Sequence, residues 1–399
     1  MKKLFEKLPL DSIFPKDHAE PVTDYSSDEE IGRLIVDVFN RSRIKCEIQA
    51  IHHGPSVSLF EFSMDTGKRV SSILGLADKL AMALEVENVR ILVPVPGKNT
   101  IGVEVPNKER TVVGFCSMVC SLEAEKEMRI PVSLGKDVYG QPMLFDLATS
   151  PHLLVGGMNE DEKTSFLDSL ICSILCTKTP DEVRLILVDT KVVELSVYNG
   201  VPHLLSPVIT DVQRAFKALE FVVKGLERRI ELLTSTGSRK IEEYNAKAVE
   251  KLPYIVVIID DFADLILTAG KEFEFLIKRI TAVARFCGIH LVLSTKRVSA
   301  DVITGVVKSN IPTQIAFAVP NAINSRILID QPGAEKLLGY GDMLYNNPMY
   351  RHPFRIQGAL IDSEIEKIVA FLKSQGKPNY PDELCFEEGR NEKQCGEEI

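Results

Sequence analysis

From Pro151 onward the sequence repeats one rhythm: a short apolar run, a loop, then a stretch with apolar residues at helical spacing. Continuous apolar runs suit strands buried on both faces, and helical crossovers between such strands impose parallel pairing. The predicted strands are His152–Val155, Val183–Val188, Tyr254–Ile259, Ile289–Ser294 and Gln314–Val319. Helices are predicted over Glu162–Cys176, Val212–Leu233, Lys271–Phe286 and Ser363–Ser374. The fold class is therefore α/β, a mostly parallel sheet with helices on both faces.

The residues before this region follow a different pattern. Pro9, Pro15 and Pro21 discourage regular structure in residues 1–27, which reads as an extended arm. Residues 28–147 read as a smaller α+β domain. A helix starts near Ser27-Asp28-Glu29-Glu30, strands run over Ile44–Ile51 and Val57–Phe62 around Gly54-Pro55, a helix covers Leu74–Leu84, and strands follow at Val89–Val95 and Thr100–Val105. The α/β region spans 148–382, and 383–399 reads as a solvated acidic tail.

Composition narrows the function classes. With 399 residues, 45% of them hydrophobic, the chain can bury a sizeable core. No stretch approaches the ~18 apolar residues of a membrane span, and the charged start lacks a signal-peptide core, so the expected compartment is the cytoplasm. The eight cysteines are too sparse for a disulfide framework. Cys116/Cys120 and Cys172/Cys176, at helical i,i+4 spacing in apolar surroundings, read as core residues. His52-His53 before Gly54-Pro55 reads as a surface turn, with no ligand-spaced partner for a metal. A net charge of −9 argues against a broad nucleic-acid-coating surface, so any DNA contact must be local.

Ligands of open α/β sheets sit beyond the carboxyl ends of the strands. Leu153-Leu154-Val155-Gly156-Gly157 is followed by Met158-Asn159-Glu160-Asp161-Glu162-Lys163-Thr164, where a phosphate-binding G-x-x-x-x-G-K-[ST] loop is expected. Gly157, Lys163 and Thr164 fit that pattern; Glu162 does not. Roughly a hundred residues later, the strand Tyr254–Ile259 delivers Asp260-Asp261, suited to holding a Mg²⁺-bound water and orienting an attacking one. Asp189-Thr190-Lys191 ends another strand at the same edge.

Several segments resemble the FtsK/SpoIIIE family almost word for word. They are Pro151–Val155, Glu194–Tyr198, Pro253–Leu265, Gly288–Leu293, Asp301–Gly305 and Leu337–Tyr345, while Pro94–Lys98 and Glu104–Lys108 resemble the family's alpha domain. The resemblance runs over roughly 28–382. It implies an alpha-like domain at 28–147 and a RecA-like P-loop NTPase motor domain at 148–382. It further implies a hexameric ring, of one subunit kind or mixed with an active paralogue, that moves double-stranded chromosomal or plasmid DNA with ATP and Mg²⁺. Relative to that family, an N-terminal membrane region and a C-terminal winged helix are expected to be missing. By position, the resemblance makes Gly157, Lys163, Thr164 and Asp260 the nucleotide contacts, with Thr164 and Asp260 holding Mg²⁺. Asp261 takes the catalytic-base position, where the family usually has Glu and the shorter side chain falls about one methylene short. Arg285 matches an arginine finger toward a neighbouring subunit, and Thr295, Arg297 and Arg326 match DNA-contacting loops. Lys296 stands where the family has Gln, and Ala322 where Lys is common.

The largest departure is in the phosphate loop, where the family has glycine at 160 and 162 and this sequence has Glu160 and Glu162 around Asp161. The left-handed torsions that glycine permits cost other residues roughly 1–2 kcal/mol each. A carboxylate about 4 Å from a phosphate charge is disfavoured by about 4 kcal/mol at an effective dielectric of about 20. Three acidic side chains are not expected to turn away together, and Lys163 is expected to pair with Glu160 or Glu162. Three readings follow: a translocase subunit with an impaired ATP site, a working ATP-dependent translocase with an unusual loop, or a non-motor RecA-like scaffold.

Overall fold

The computed structural model describes residues 8–9, 13–14, 27–64, 69–191 and 194–385. The arm expected over 1–27 and the acidic tail expected over 383–399 fall almost wholly outside these residues. The chain forms two compact units. The first comprises Lys7–Thr177 with Ser294–Ile368, the second Lys178–Leu293 with the segment from Val369 onward.

In the first unit, β1 (Cys46–His53), β2 (Val57–Met64), β3 (Arg90–Leu92) and β4 (Ile101–Pro106) form an antiparallel sheet in the order β1-β2-β4-β3. Successive side chains of a strand point to opposite faces. Phe60 and Phe62 of β2 accordingly share one face. They pack with Ile35 and Phe39 of α1 (Asp28–Arg41), Ile73 of α2 (Val70–Leu74) and Leu80 of α3 (Ala77–Ala83). The intervening Glu61 is buried and takes its partners from Lys98 Nζ at 2.5 Å and His52 Nε2 at 3.2 Å. His52 and His53 therefore end a strand rather than form a surface turn. His53 reaches Asp28 Oδ2 at 3.1 Å and Ser58 Oγ at 3.1 Å, fastening α1 to the sheet.

A second ladder in the same unit runs β7 (Pro142–Asp146), β6 (Pro131–Asp137), β14 (Phe354–Leu360), β13 (Asp342–Asn346), β12 (Thr313–Ala316), β8 (His152–Gly156). The β12–β8 pair is parallel, as expected. The pairs from β7 to β12 are antiparallel and were not anticipated from the sequence. These strands are short, and the β6–β7 hairpin turns through Gly140 at φ +74°, a conformation that favours glycine. β5 (Val113–Gly114) pairs with the end of β14. α4 (Phe115–Ala124) and α5 (Glu160–Thr177) pack on β6, where Ser133 N donates to Ser173 Oγ at 3.1 Å. Cys172 is in the core as expected, but Cys120 on α4 is exposed. Among the described residues, no group of three or more His, Cys, Asp or Glu could hold a metal ion, and no helix is long and apolar enough to cross a membrane.

The small sheet and the long ladder are joined by a buried ion network. Arg355 of β14 donates through Nε and Nη2 to Asp342 Oδ1 and Oδ2 at 3.0 and 2.6 Å, and through Nη1 to Glu104 Oε2 of β4 at 2.8 Å. Arg90 Nη1 completes Glu104 at 3.1 Å. Glu104 and Asp342 are each 1% exposed. Burial alone would push the Glu104 carboxyl up, but Arg90 and Arg355 outweigh it and hold the group below its ordinary 4.5.

The second unit carries β9 (Val183–Asp189), β10 (Tyr254–Asp260) and β11 (Ile289–Thr295), parallel in the order β11-β10-β9. The last two residues of β11 carry the chain into the first unit. Asp211 caps α6 (Val212–Ser235) by accepting from Arg214 N. Phe216 of α6 meets Phe273 of α8 (Ala263–Val283), which stacks on Phe262. α8 begins before the expected Lys271 because two helical pieces join across a kink at Ala269. α7 (Ile241–Lys247) precedes β10. Arg229 is buried and donates to the carbonyls of Cys287 and Pro253, both at 2.7 Å, with burial lowering its pKa to about 10.

Removing one member of a buried ion network leaves the others uncompensated, at a cost of about 3–5 kcal/mol. Arg355→Ala is expected to destabilise the protein by about that amount, read as a fall in the denaturation midpoint. Because the Glu104 pKa is depressed in the folded state, its stabilisation is fully present above about pH 4.5 and is lost as pH falls through the lower folded value. An acid-unfolding titration should show that loss in the native chain and a smaller one in Glu104→Gln.

Candidate phosphate loop and strand-end carboxylates

β8 ends at Gly156, whose carbonyl accepts from Phe317 N at 2.8 Å. A Cβ on Gly157 would lie 2.6 Å from Phe317 Cβ, so close packing already requires glycine there. The Gly157 N–H donates to Thr295 O at 3.3 Å, the Met158 N–H to Ala318 O at 2.9 Å, and the Asp161 N–H to Asn159 Oδ1 at 3.1 Å. α5 begins at Glu160, two residues earlier than predicted, leaving three residues between strand and helix. Glu160, Asp161 and Glu162 fill its first turn, where acidic side chains stabilise the helix by typically ~0.3–1 kcal/mol each.

Each acid has a separate place. Glu160 Oε2 lies 3.6 Å from Lys296 Nζ, both partly exposed. Asp161 is exposed. Glu162 turns inward, 6% exposed, and accepts the backbone N–H groups of Tyr340 and Gly341. A Cβ at Gly339 would stand 3.2 Å from Glu162 Oε1, so this loop closes tightly on the carboxylate. Burial pushes the Glu162 carboxyl up, more than the two N–H groups and Lys163 pull it down. Lys163 is itself buried, and its Nζ donates to Asn159 O at 3.2 Å. The expectation that the acids could not turn away together fails because the 339–341 loop receives one and Lys296 another. Thr164 is half-buried on the same turn.

In the second unit, Asp189 and Asp260 are paired across β9 and β10. Asp189 is fully buried and accepts from the N–H groups of Lys191, Glu194 and Leu195 at 3.1, 2.9 and 3.1 Å. Its carboxylate thus shapes the turn after β9. Asp260 is buried. Asp261 follows in the left-handed region at φ +50°, a conformation in which Asp is enriched. Its Oδ2 lies 2.9 Å from Lys191 Nζ, and Thr190 Oγ1 donates to Asp264 Oδ2 at 3.0 Å. Arg285 is exposed on the turn after α8, with its guanidinium over the Phe286 ring at 4.5 Å.

The residues expected to touch DNA separate by exposure. Thr295 is fully buried: its carbonyl holds the Gly157 N–H and its Oγ1 accepts from Arg297 N at 3.1 Å. It connects the phosphate loop to the following loop instead of presenting a surface. Arg297 is half-exposed beside Asp301 at 2.5 Å. Arg326 is exposed on α9 (Ala322–Ile329), and Asn324 of that helix donates to Val298 O, joining the two segments. Sequence reasoning missed the role of Gly339-Tyr340-Gly341; its glycine spacing was the available signal.

Residues 121–300 match the FtsK/SpoIIIE family and residues 8–107 match the FtsK alpha domain. DNA translocase FtsK of Treponema pallidum is 46% identical over 366 residues, which covers 90% of this chain and 46% of that protein. DNA translocase SpoIIIE of Bacillus subtilis is 42% identical over 399 residues, covering 97% and 51%. The chain spans about half the length of the curated relatives it matches. Among solved structures, the pCW3 conjugation coupling protein TcpA, in its monomer form with ATPγS, superposes with a TM-score of 0.61 at 20% identity, covering 86% of this chain and 99% of that one. That likeness establishes a RecA-like P-loop NTPase fold, here preceded by the smaller α+β domain. With two family matches and relatives above 40% identity along nearly its whole length, the chain belongs to the FtsK/SpoIIIE family.

Proposed function

We propose that this chain is a cytoplasmic motor-type subunit of a double-stranded DNA translocase whose own ATP site is impaired. One observation carries the second half of this reading: the N–H groups of Gly157, Met158 and Asp161 are spent on protein oxygens, and three carboxylates fill the helix turn that follows. A phosphate loop works by curling such N–H groups around an anion. The segment 157–164 does not fit a triphosphate held in that way. Lys163, Thr164 and Asp260 keep the residue types that the family resemblance gives to nucleotide and Mg²⁺, and Asp261 holds the base position while paired with Lys191. The subunit would serve a hexameric ring, lending exposed Arg285 to a neighbour and Arg297 and Arg326 to DNA. A mixed ring with an active paralogue suits that division of labour.

A second reading, a working motor with an unusual loop, is favoured by the two carboxylates, Asp260 and Asp261, retained at the strand end. Purified protein with duplex DNA is expected to show little ATP hydrolysis, while robust DNA-stimulated turnover would move the assignment to this second reading. Glu160→Gly with Glu162→Gly is expected to raise affinity for a fluorescent ATP analogue about tenfold or more. Glu160→Gly alone, which leaves the 339–341 loop closed, should give a smaller gain.

Binding to DNA should be weak and local. If Arg297 and Arg326 each neutralise one phosphate, log affinity should fall against log salt with a slope of about −2 per subunit. Arg297→Ala with Arg326→Ala should flatten that slope in anisotropy titrations. Absence of any DNA binding at low salt would leave the scaffold reading instead.

A further inference from the structure

α4 carries two thiols that belong neither to the phosphate loop nor to the strand-end carboxylates. Phe115, Met118, Val119 and Leu122 form the buried face of this helix. Cys116 is half-buried at the edge of that face, and Cys120 is exposed. Residues four apart on a helix lie one above the other, with Cβ atoms about 5–6 Å apart. The two sulfurs therefore share one stripe, open to solvent at Cys120. Burial pushes the Cys116 thiol up, and Cys120 and Glu364 add to that effect. Cys116 thus lies within electrostatic reach of a second thiol and of a carboxylate, all three inside the first unit.

Helical spacing selects the chemistry open to this pair. A disulfide needs Cβ atoms about 3.5–4.5 Å apart, so an intact helix holds these two too wide to close one. A metal ion bonded to both sulfurs at about 2.3 Å each holds them about 4.5 Å apart, a separation that side-chain rotation from helical Cβ positions supplies. Among the described residues, no group of three or more His, Cys, Asp or Glu could hold a metal ion. Zn²⁺, which takes four ligands or three and a water, therefore finds too few here. Thiolates select soft ions, and Cu(I) accepts two of them in a linear arrangement.

We propose that Cys116 and Cys120 form a two-coordinate surface site for a soft monovalent metal ion of the Cu(I) type, held between their two sulfurs on α4. Binding exchanges each S–H bond for an S–Cu bond, releases two protons to water and leaves the oxidation state of copper and sulfur unchanged. The bound pair carries one net negative charge. Glu364 therefore opposes the ion-bound form by repulsion and is not one of its ligands. Neither DNA nor nucleotide takes part, so the site stands independently of the motor reading.

The test is anaerobic competition of the reduced full chain with bathocuproine disulfonate for Cu(I), followed by the visible absorbance of the chelate. The chain should withdraw copper from the chelator. Cys116→Ser and Cys120→Ser should each weaken that binding about a hundredfold or more, because each removes one of two ligands. Cys385→Ser, at an exposed cysteine elsewhere, should leave it unchanged. Cu(I) should protect Cys120 from alkylation by iodoacetamide, and Zn²⁺ at equal concentration should not. Glu364→Gln should bind Cu(I) at least as tightly as the native chain. Cys120→Ser, at a solvent-exposed position, carries the test if Cys116→Ser fails to fold. Copper uptake no greater than that of the chain lacking both thiols would overturn the proposal. So would a loss of binding in Cys385→Ser equal to that in Cys120→Ser, protection of Cys120 by Zn²⁺ as strong as by Cu(I), or weaker binding in Glu364→Gln, which would make the carboxylate a ligand.

Discussion

Arg355 sits between two carboxylates that have almost no access to water, and much of the first unit's arrangement is referred to that one guanidinium. Its planar fork matches Asp342 bidentately and leaves a third donor for Glu104. Glu104 belongs to the small sheet, Asp342 and Arg355 to the long ladder, so the ion network fixes one sheet against the other. Asp342 Oδ2 also accepts from Leu338 N at 2.9 Å. That bond anchors the start of the loop whose next residues close over Glu162. The state of the phosphate loop is thus tied, through the Leu338–Asp342 bond and the N–H groups of Tyr340 and Gly341, to an ion network whose Asp342 and Arg355 lie more than a hundred residues away in sequence.

The start of α5 illustrates how one structural problem admits two solutions. A helix N-terminus exposes unpartnered N–H groups and carries partial positive charge. A glycine-rich loop leaves both for a bound anion. Here Asn159 takes one N–H, neighbouring carbonyls take two others before the helix begins, and the helix supplies its own negative charge from Glu160, Asp161 and Glu162. The turn is satisfied within the protein, with Lys163 folded back on Asn159 O.

The strand-end carboxylates of the second unit follow a different logic. Asp189 organises a turn through three backbone donors, which makes it a structural group at a position the sequence marks only as the ligand edge. Asp261 pairs with Lys191 two residues beyond it. Their spacing in the chain gives no hint of that pairing, because it arises from β9 and β10 lying side by side in register.

The apolar runs at β8, β9, β10 and β11 were legible from residue order alone, because a strand buried on both faces must be apolar throughout and its ends then mark the ligand edge. The motif residues Gly157, Lys163, Asp260 and Asp261 were legible for the same reason, as was the acidic departure at 160–162. The antiparallel strands β6, β7, β13 and β14 were not: short, mixed strands depend on their partners for burial, and those partners lie far away in the chain. Where the three acids point, what Thr295 holds, and which loop receives Glu162 were decided only in three dimensions. Local sequence sets which charges and torsions a segment brings, whereas the donors, counter-ions and cavities that meet them come from segments that only the folded chain places alongside.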